Sequence, residues 1–114
     1  MASGFLYLVT RGRKSGLPRK IEIWFVELDG RYYLVSEQRE RAQWVKNLLA
    51  HDSVELSVGR RADEGSELPS TPARARVLDP ALEPELAARV RALMDAKYDW
   101  SDGLIVELAP SPRP

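Results

Sequence analysis

The chain has 114 residues, no net formal charge, 44% hydrophobic and 30% charged residues, which are the proportions of one folded domain. It contains no cysteine and one histidine, so disulfides, thiolate metal sites and a cysteine nucleophile are excluded. No apolar run reaches the roughly 18 residues of a membrane-spanning helix, and the N-terminus lacks a signal-peptide pattern. We therefore expect a cytoplasmic protein without a membrane partner.

The zero net charge hides an uneven distribution. Residues 1–20 carry a charge of +5 and contain no acidic residue, so the rest of the chain carries −5. The cations of this first stretch are Arg11, Arg13, Lys14, Arg19 and Lys20. Cations confined to one segment favour a local anion site over a nucleic-acid surface, so no nucleic-acid partner is expected.

The N-terminal third predicts three antiparallel strands. Residues 5–10 are apolar and β-prone, and residues 17–28 form a long alternating run. Asp29-Gly30 is typical of a two-residue hairpin turn, with residues 31–36 as the return strand. The predicted arrangement is a meander.

Helices and strands alternate through the remainder. Apolar residues at helical spacing predict a helix over residues 39–50 and a second one that starts beside Pro80 or Pro84. The apolar stripe of the second helix comprises Leu82, Leu86, Val90, Leu93 and Met94. Further strands are predicted at 53–58, 73–78 and 103–109, with a mobile loop at 60–71.

These elements predict a mainly β fold with six strands and two helices. Parallel strands need longer crossover connections than this chain offers, so the economical arrangement is a small antiparallel barrel with two flanking helices. We expect one domain over residues 1–109 and a flexible, proline-rich tail over residues 110–114.

The turn Gly12-Arg13-Lys14-Ser15-Gly16 is the first candidate site. Two glycines permit positive φ, so that backbone N–H groups can converge on an anion, and the side chains add two cations and a hydroxyl. The spacing does not match a P-loop. From the spacing alone, the simpler interpretation is a basic hairpin tip that faces solvent and holds no ligand.

Aromatic residues form the second candidate set: Trp24, Tyr32, Tyr33, Trp44, Tyr98 and Trp100. Most are expected in the core. Trp24 shares the polar face of its strand with Glu22, and Trp44 flanks its helix stripe, so these two are placed to contact a planar ring. Ser36, at the end of its strand, is predicted either to cap the following helix or to lie beside a ligand at that helix.

Residues 8–19 (LVTRGRKSGLPR) resemble the opening strand and turn of the deazaflavin-dependent nitroreductase family. The similarity continues through residues 29–36, through 44–54 (WVKNLLAHDSV) and through 73–78. Glu22, where the family commonly has proline, and a shorter, charged segment at 36–41 depart from the pattern.

The resemblance implies a split β-barrel of the FMN-binding type and a reductase that passes a hydride from coenzyme F420 to a small conjugated or nitro-type acceptor. It implies these cofactor-binding residues: Arg13, Lys14, Ser15, Gly16, Arg19, Trp24, Ser36, Trp44 and Asn47. Tyr98 and Trp100 would close the substrate pocket. The chemistry would belong to the cofactor, with no metal and no catalytic side chain. The resemblance also implies a homodimer. The alternatives are an FMN-binding flavoprotein and a non-catalytic, ligand-binding dimeric barrel.

Overall fold

A computed structural model describes residues 4–60 and 70–111 of the chain. It contains seven strands, two α-helices and a short 3-10 turn. The elements in chain order are β1 (Gly4–Arg11), β2 (Pro18–Ile23), β3 (Val26–Leu28), β4 (Arg31–Ser36), the 3-10 turn (Arg39–Arg41), α1 (Gln43–Ala50), β5 (Ser53–Arg60), β6 (Thr71–Val77), α2 (Pro84–Tyr98) and β7 (Leu104–Pro110). Most of the predicted loop at 60–71 and the last three residues of the predicted tail lie outside the described residues.

All seven strands belong to one antiparallel sheet in the order β2-β1-β5-β6-β7-β4-β3. The two edge strands, β2 and β3, are consecutive in the chain and separated only by Trp24 and Phe25. Because so short a link cannot cross a flat seven-stranded sheet, the sheet has to curl until its two edges lie side by side. The predicted antiparallel split barrel is confirmed.

The predicted strand at 17–28 is in fact two strands, which raises the count from six to seven. β2 pairs with β1, and β3 pairs with β4, so the predicted continuous meander is wrong. At the break, the side-chain hydroxyl of Tyr98 accepts from the Phe25 N–H (3.1 Å) and lies 3.1 Å from its carbonyl oxygen. The Lys97 ammonium donates to the same carbonyl at 2.8 Å. Side chains of α2 thus provide hydrogen-bond partners for the N–H and carbonyl groups of the backbone where it leaves the sheet.

The Asp29-Gly30 hairpin is confirmed. Both residues have positive φ, 54° and 78°, as a type I′ turn requires, and β4 has the predicted bounds.

Two apolar clusters pack against the two faces of the sheet. The inner cluster fills the barrel and includes Leu6, Leu8, Leu34 and Leu48 of α1. The outer cluster lies between the sheet and α2, and includes Val35, Val90, Met94 and Ile105. Phe25, at the strand break, belongs to the inner cluster, and Val26, the first residue of β3, belongs to the outer one.

The predicted apolar stripe of the second helix is correct only in its centre. Val90 and Met94 are fully buried, whereas Leu82 is 79% exposed and Leu93 is 37% exposed. Leu82 precedes the first residue of α2, so it does not share the helix face. Leu93 lies at the edge of the stripe that Val90 and Met94 define.

The predicted helix over residues 39–50 is also divided. Ala42 is extended (φ −63°, ψ 137°) and separates the 3-10 turn from α1, which places the start of α1 beside the β1–β2 turn. Neither helix of the described ranges combines the length and apolar character that crossing a membrane requires.

Candidate functional site

The β1–β2 turn is a compact loop closed by its own hydrogen bonds. The Gly12 N–H donates to the Leu17 carbonyl and the Gly16 N–H donates to the Gly12 carbonyl, both at 2.8 Å. The Leu17 N–H donates to Ser15 Oγ at 3.2 Å. The predicted positive φ holds for Gly16 (73°) but not for Gly12. At Gly12 the requirement is close approach, since a Cβ there would lie 2.7 Å from Ser15 Oγ and 3.3 Å from the Leu17 carbonyl.

Asn47 fastens this loop to α1. Its side-chain oxygen accepts from the Arg13 backbone N–H (3.2 Å) and from the Arg13 guanidinium (3.1 Å). Its side-chain N–H donates to the Thr10 hydroxyl at 3.3 Å, and both Asn47 and Thr10 are buried. Gln43 Oε1 accepts a second hydrogen bond from the Arg13 guanidinium at 2.8 Å. The helix therefore sets the direction of the Arg13 side chain.

A cleft of about 450 Å³ opens between this loop and α1, and we refer to it as the basic cleft. The described residues that line it include three cations and no carboxylate: Thr10, Gly12, Arg13, Lys14, Ser15, Arg19, Ile21, Gln43, Trp44 and Asn47. Lys14 and Arg19 are exposed and make no ion pair within residues 4–60 and 70–111. The basic cleft thus brings together six of the predicted site residues, while Gly16 shapes the loop without lining the cleft.

A second cleft of about 510 Å³, the acidic cleft, is lined by Glu22, Ile23, Trp24, Val35, Glu37 and Trp100. Among residues 4–60 and 70–111, its lining has two carboxylates and no cation. Ile21 lines the basic cleft and Ile23 lines the acidic one, so the two clefts are neighbours about 7 Å apart along β2. The carboxylate of Glu22 therefore belongs to a different cleft from the cations.

Trp24 forms a fixed wall of the acidic cleft. Its indole stacks on the Tyr98 ring with centroids 4.4 Å apart and an angle of 2° between the planes. Tyr98 is in turn held by its hydrogen bonds to the backbone of Phe25. Of the two predicted substrate-pocket residues, Trp100 lines the cleft, whereas Tyr98 lies behind Trp24 and supports it.

Ser36 stands apart from the other predicted site residues. It is buried, and its hydroxyl donates to the Arg39 carbonyl at 2.9 Å. It does not cap α1, whose first turn has no side-chain cap, and it lines neither cleft.

Sequence reasoning missed a charged network on the outer face of the sheet. Glu107 is only 2% exposed, and its carboxylate accepts hydrogen bonds from Tyr33 (2.9 Å) and Arg76 (2.8 and 3.2 Å). These residues lie directly opposite one another on β4, β7 and β6. Arg31 approaches Glu107 at 3.4 Å, and Arg76 also bonds Glu83 at 2.7 and 3.1 Å. The sequence signal that could have indicated this network is the single carboxylate of Glu107 within the apolar run of β7.

The network shifts the pKa of its members. Burial alone would raise the pKa of Glu107, but hydrogen bonds from Arg76 and Tyr33 outweigh it, so the pKa lies below the ordinary value. Burial and the bond to Glu107 raise the pKa of Tyr33 to about 12. The hydrogen bond from Arg76 also lowers the pKa of Glu83. None of these residues lines the basic or the acidic cleft, so the network lies apart from the candidate site.

In the part of the chain that the structure describes, no three His, Asp or Glu side chains come together as a metal site. The basic cleft offers cations and hydroxyls, a set suited to holding an anionic group, and the acidic cleft offers two indole walls and two carboxylates.

Three solved structures have folds similar to that of this chain. HutZ, a haem storage protein from Vibrio cholerae, has a TM-score of 0.75 and 19% identity over 96% of this chain and 82% of its own. A candidate pyridoxamine 5′-phosphate oxidase from Listeria innocua has a TM-score of 0.67 and 14% identity over 95% and 84%. The F420-H2 dependent reductase FDR-A has a TM-score of 0.61 and 21% identity over 95% and 96%. At these identities they show the split-barrel fold.

The sequence itself identifies the family. No curated protein matches the chain. The family model described as F420H(2)-dependent quinone reductase matches residues 1–97, which include the β1–β2 loop, α1 and nearly all of α2. This agrees with the resemblance of the loop and α1 motifs to deazaflavin-dependent reductases. The chain is a member of the F420H(2)-dependent quinone reductase family, a group of F420-dependent oxidoreductases.

Proposed function

We propose that this protein binds coenzyme F420 in the basic cleft and transfers a hydride from its reduced form to a small conjugated or nitro-type acceptor. Quinones, which the family description names, fall within that class. The observation that carries the proposal is a cleft with three cations and no carboxylate, which continues along β2 into a cleft with two indole walls.

The donor set of the basic cleft fits a phosphate. Arg13, Lys14 and Arg19 supply positive charge, and the Ser15 hydroxyl, which accepts from the Leu17 N–H, keeps its own proton to donate. Charge-assisted hydrogen bonds contribute about 1.5–3 kcal/mol each, so two or three of them hold one phosphate firmly. The absence of a side chain at Gly12 lets the loop close around that point.

The protein's own contribution is to position the cofactor. When bound, F420 supplies the hydride chemistry, which needs no side-chain nucleophile or metal. Arg13 is already oriented by Asn47 and Gln43, so binding costs it little side-chain entropy. Trp44 borders the basic cleft, and Trp24 and Trp100 border the acidic one, where they exclude water from a flat substrate.

The test is a fluorescence titration of the purified chain with F420 and, separately, with FMN. We expect F420 to bind, and Lys14→Ala to weaken its affinity by about tenfold, the loss of one charge-assisted hydrogen bond. Lys46→Ala is the matched control, because Lys46 is an exposed lysine on α1 that lines neither cleft. Binding of FMN alone favours the flavoprotein alternative. Binding of neither favours the non-catalytic barrel, and both results contradict the proposal.

A second measurement tests the acceptor class. The oxidation of reduced F420 is followed by absorbance with a benzoquinone and with a nitroaromatic compound. The proposal requires turnover with at least one of them. The homodimer and the cytoplasmic location stay predictions, and light scattering on the purified chain measures the first.

A further inference from the structure

The acidic cleft holds two carboxylates without a partner among the described residues. Glu22 and Glu37 are both exposed, and neither makes an ion pair or hydrogen bond within the described ranges. In the part of the chain that the structure describes, no arginine or lysine lines this cleft. Two uncompensated carboxylates in one concave site create a local negative potential that attracts cations and repels anions.

The same cleft presents aromatic faces. The Tyr98 ring covers one face of the Trp24 indole, which leaves the opposite face for a ligand, and Trp24 is 48% exposed. The second wall is the half-buried indole of Trp100. Tryptophan is the strongest cation–π partner among the aromatic side chains, and it also stacks on flat rings. Negative charge and indole faces together select a flat ligand that carries positive charge.

The neighbouring basic cleft strengthens this selection. Its three cations attract the anionic part of any ligand, and the two carboxylates of the acidic cleft repel that part. An anionic molecule is therefore directed to the Arg13 end of β2, and the Trp24 end is left for a molecule of the opposite charge. A volume of about 510 Å³ falls in the range of small-molecule pockets.

We propose that the acidic cleft binds a flat organic cation, an N-heteroaromatic ring system with a permanent positive charge, with Glu22 and Glu37 beside the charge and Trp24 and Trp100 against the ring. Binding of the cation does not require the cofactor. Only its assignment as the class of substrate to be reduced rests on the proposed function.

The experiment is isothermal titration of the full chain, without F420, at low ionic strength and pH 8. N-methylquinolinium is the cationic probe, quinoline is its neutral counterpart of nearly the same shape, and 2-naphthalenesulfonate is the anionic one. We expect the cation to bind at least about tenfold more tightly than quinoline and the sulfonate to bind least in the acidic cleft. Added salt weakens binding of the cation but not of quinoline.

Variants assign the effect to the two carboxylates. We expect Glu22→Gln and Glu37→Gln each to weaken binding of the cation by about three- to fivefold, which is the effect of losing one exposed charge. Glu85→Gln, an exposed glutamate of α2 outside both clefts, is the matched control and leaves affinity unchanged. Trp100→Leu weakens the binding of quinoline and of the cation alike. Thermal melting of each variant verifies that it is folded.

The inference is overturned if the cation does not bind, if quinoline binds as tightly as the cation, or if the double variant of Glu22 and Glu37 binds the cation as well as the original chain. The original chain is also titrated with F420. If it binds F420 but not the cation, this inference alone is refuted. If it binds the cation but not F420, the proposed function alone is refuted.

Discussion

Asn47→Ala removes the side chain that joins the β1–β2 loop to α1. Three hydrogen bonds are lost, at 3.1, 3.2 and 3.3 Å, two of them to Arg13 and one to the buried Thr10 hydroxyl. At about 0.5–1.5 kcal/mol each, with the Arg13 guanidinium still held by Gln43, we expect the free energy of unfolding to fall by about 2 kcal/mol. Because Arg13 loses its orientation, the affinity for F420 falls about five- to tenfold.

Asn47→Asp separates the effect on stability from the effect on F420 affinity. The aspartate keeps an acceptor for Arg13 and receives a hydrogen bond from the Thr10 hydroxyl, so we expect stability to stay within about 1 kcal/mol of the original. Its negative charge, however, neutralises Arg13 and repels a phosphate in the basic cleft. We therefore expect F420 affinity to fall further in Asn47→Asp than in Asn47→Ala, although Asn47→Asp is the more stable variant.

Urea unfolding followed by tryptophan fluorescence measures stability, and titration with F420 measures affinity. If Asn47→Ala unfolds at the same urea concentration as the original chain, Asn47 does not fasten the loop. If Asn47→Asp binds F420 as tightly as the original chain, Arg13 does not face a phosphate, and the assignment of the basic cleft is wrong.

Further predictions concern the outer network and the strand break. Glu107→Gln leaves the buried network without its carboxylate, so we expect about 2–4 kcal/mol less stability in urea, and a change below 1 kcal/mol would contradict this. Because the folded-state pKa of Glu107 is lowered, its contribution is complete above the ordinary value of 4.5 and is lost as the pH falls through the folded-state pKa. Glu107→Gln removes this titration, so in a pH series its melting temperature should fall less steeply below pH 4.5 than that of the original chain. The pKa of Tyr33 is raised from 10.0 to about 12, so its contribution is present below pH 10 and is lost as pH rises through 12; Tyr33→Phe should flatten that alkaline limb. Tyr98→Phe keeps the ring that stacks on Trp24 but loses the hydroxyl that bonds the Phe25 backbone. We therefore expect about 1–2 kcal/mol less stability, with little change in quinolinium binding. Unchanged stability in urea would show that Lys97 alone holds the strand break.

Local chemistry made much of the fold predictable. The Asp29-Gly30 turn was correct to the residue because its positive φ values are a property of those two residues. The cations of the β1–β2 loop converge on one cleft because a tight turn keeps neighbours in sequence close in space. Asn47 was predicted through the resemblance, and the structure adds a physical role, since it fastens the loop to α1.

The break between β2 and β3 was not predictable in the same way. No glycine or proline marks an end of the strand at Trp24 and Phe25. The alternation lapses there, since residues 23–26 are all apolar, but such a run is also typical of a continuous buried strand. The groups that satisfy the exposed backbone, Tyr98 and Lys97, lie 73 and 72 residues further along the chain. A pattern within one segment cannot reveal a partner at that distance.

The Glu107 network was missed for a related reason. A glutamate within an apolar strand is a visible anomaly, but its partners depend on the register of β6, β7 and β4. Arg76 and Tyr33 face it only because those three strands are neighbours in this order. The sequence shows the carboxylate, and only the sheet topology shows what compensates its charge.

The strand break links the closure of the barrel to the site. By leaving the sheet at Trp24, the chain lets that indole lie flat on Tyr98 instead of following the pleat, and it becomes a wall of the acidic cleft. The hydroxyl of the same Tyr98 bonds the Phe25 backbone at the point where the chain passes from one sheet edge to the other. One side chain of α2 therefore both completes the barrel and positions the aromatic surface against which a flat substrate would bind.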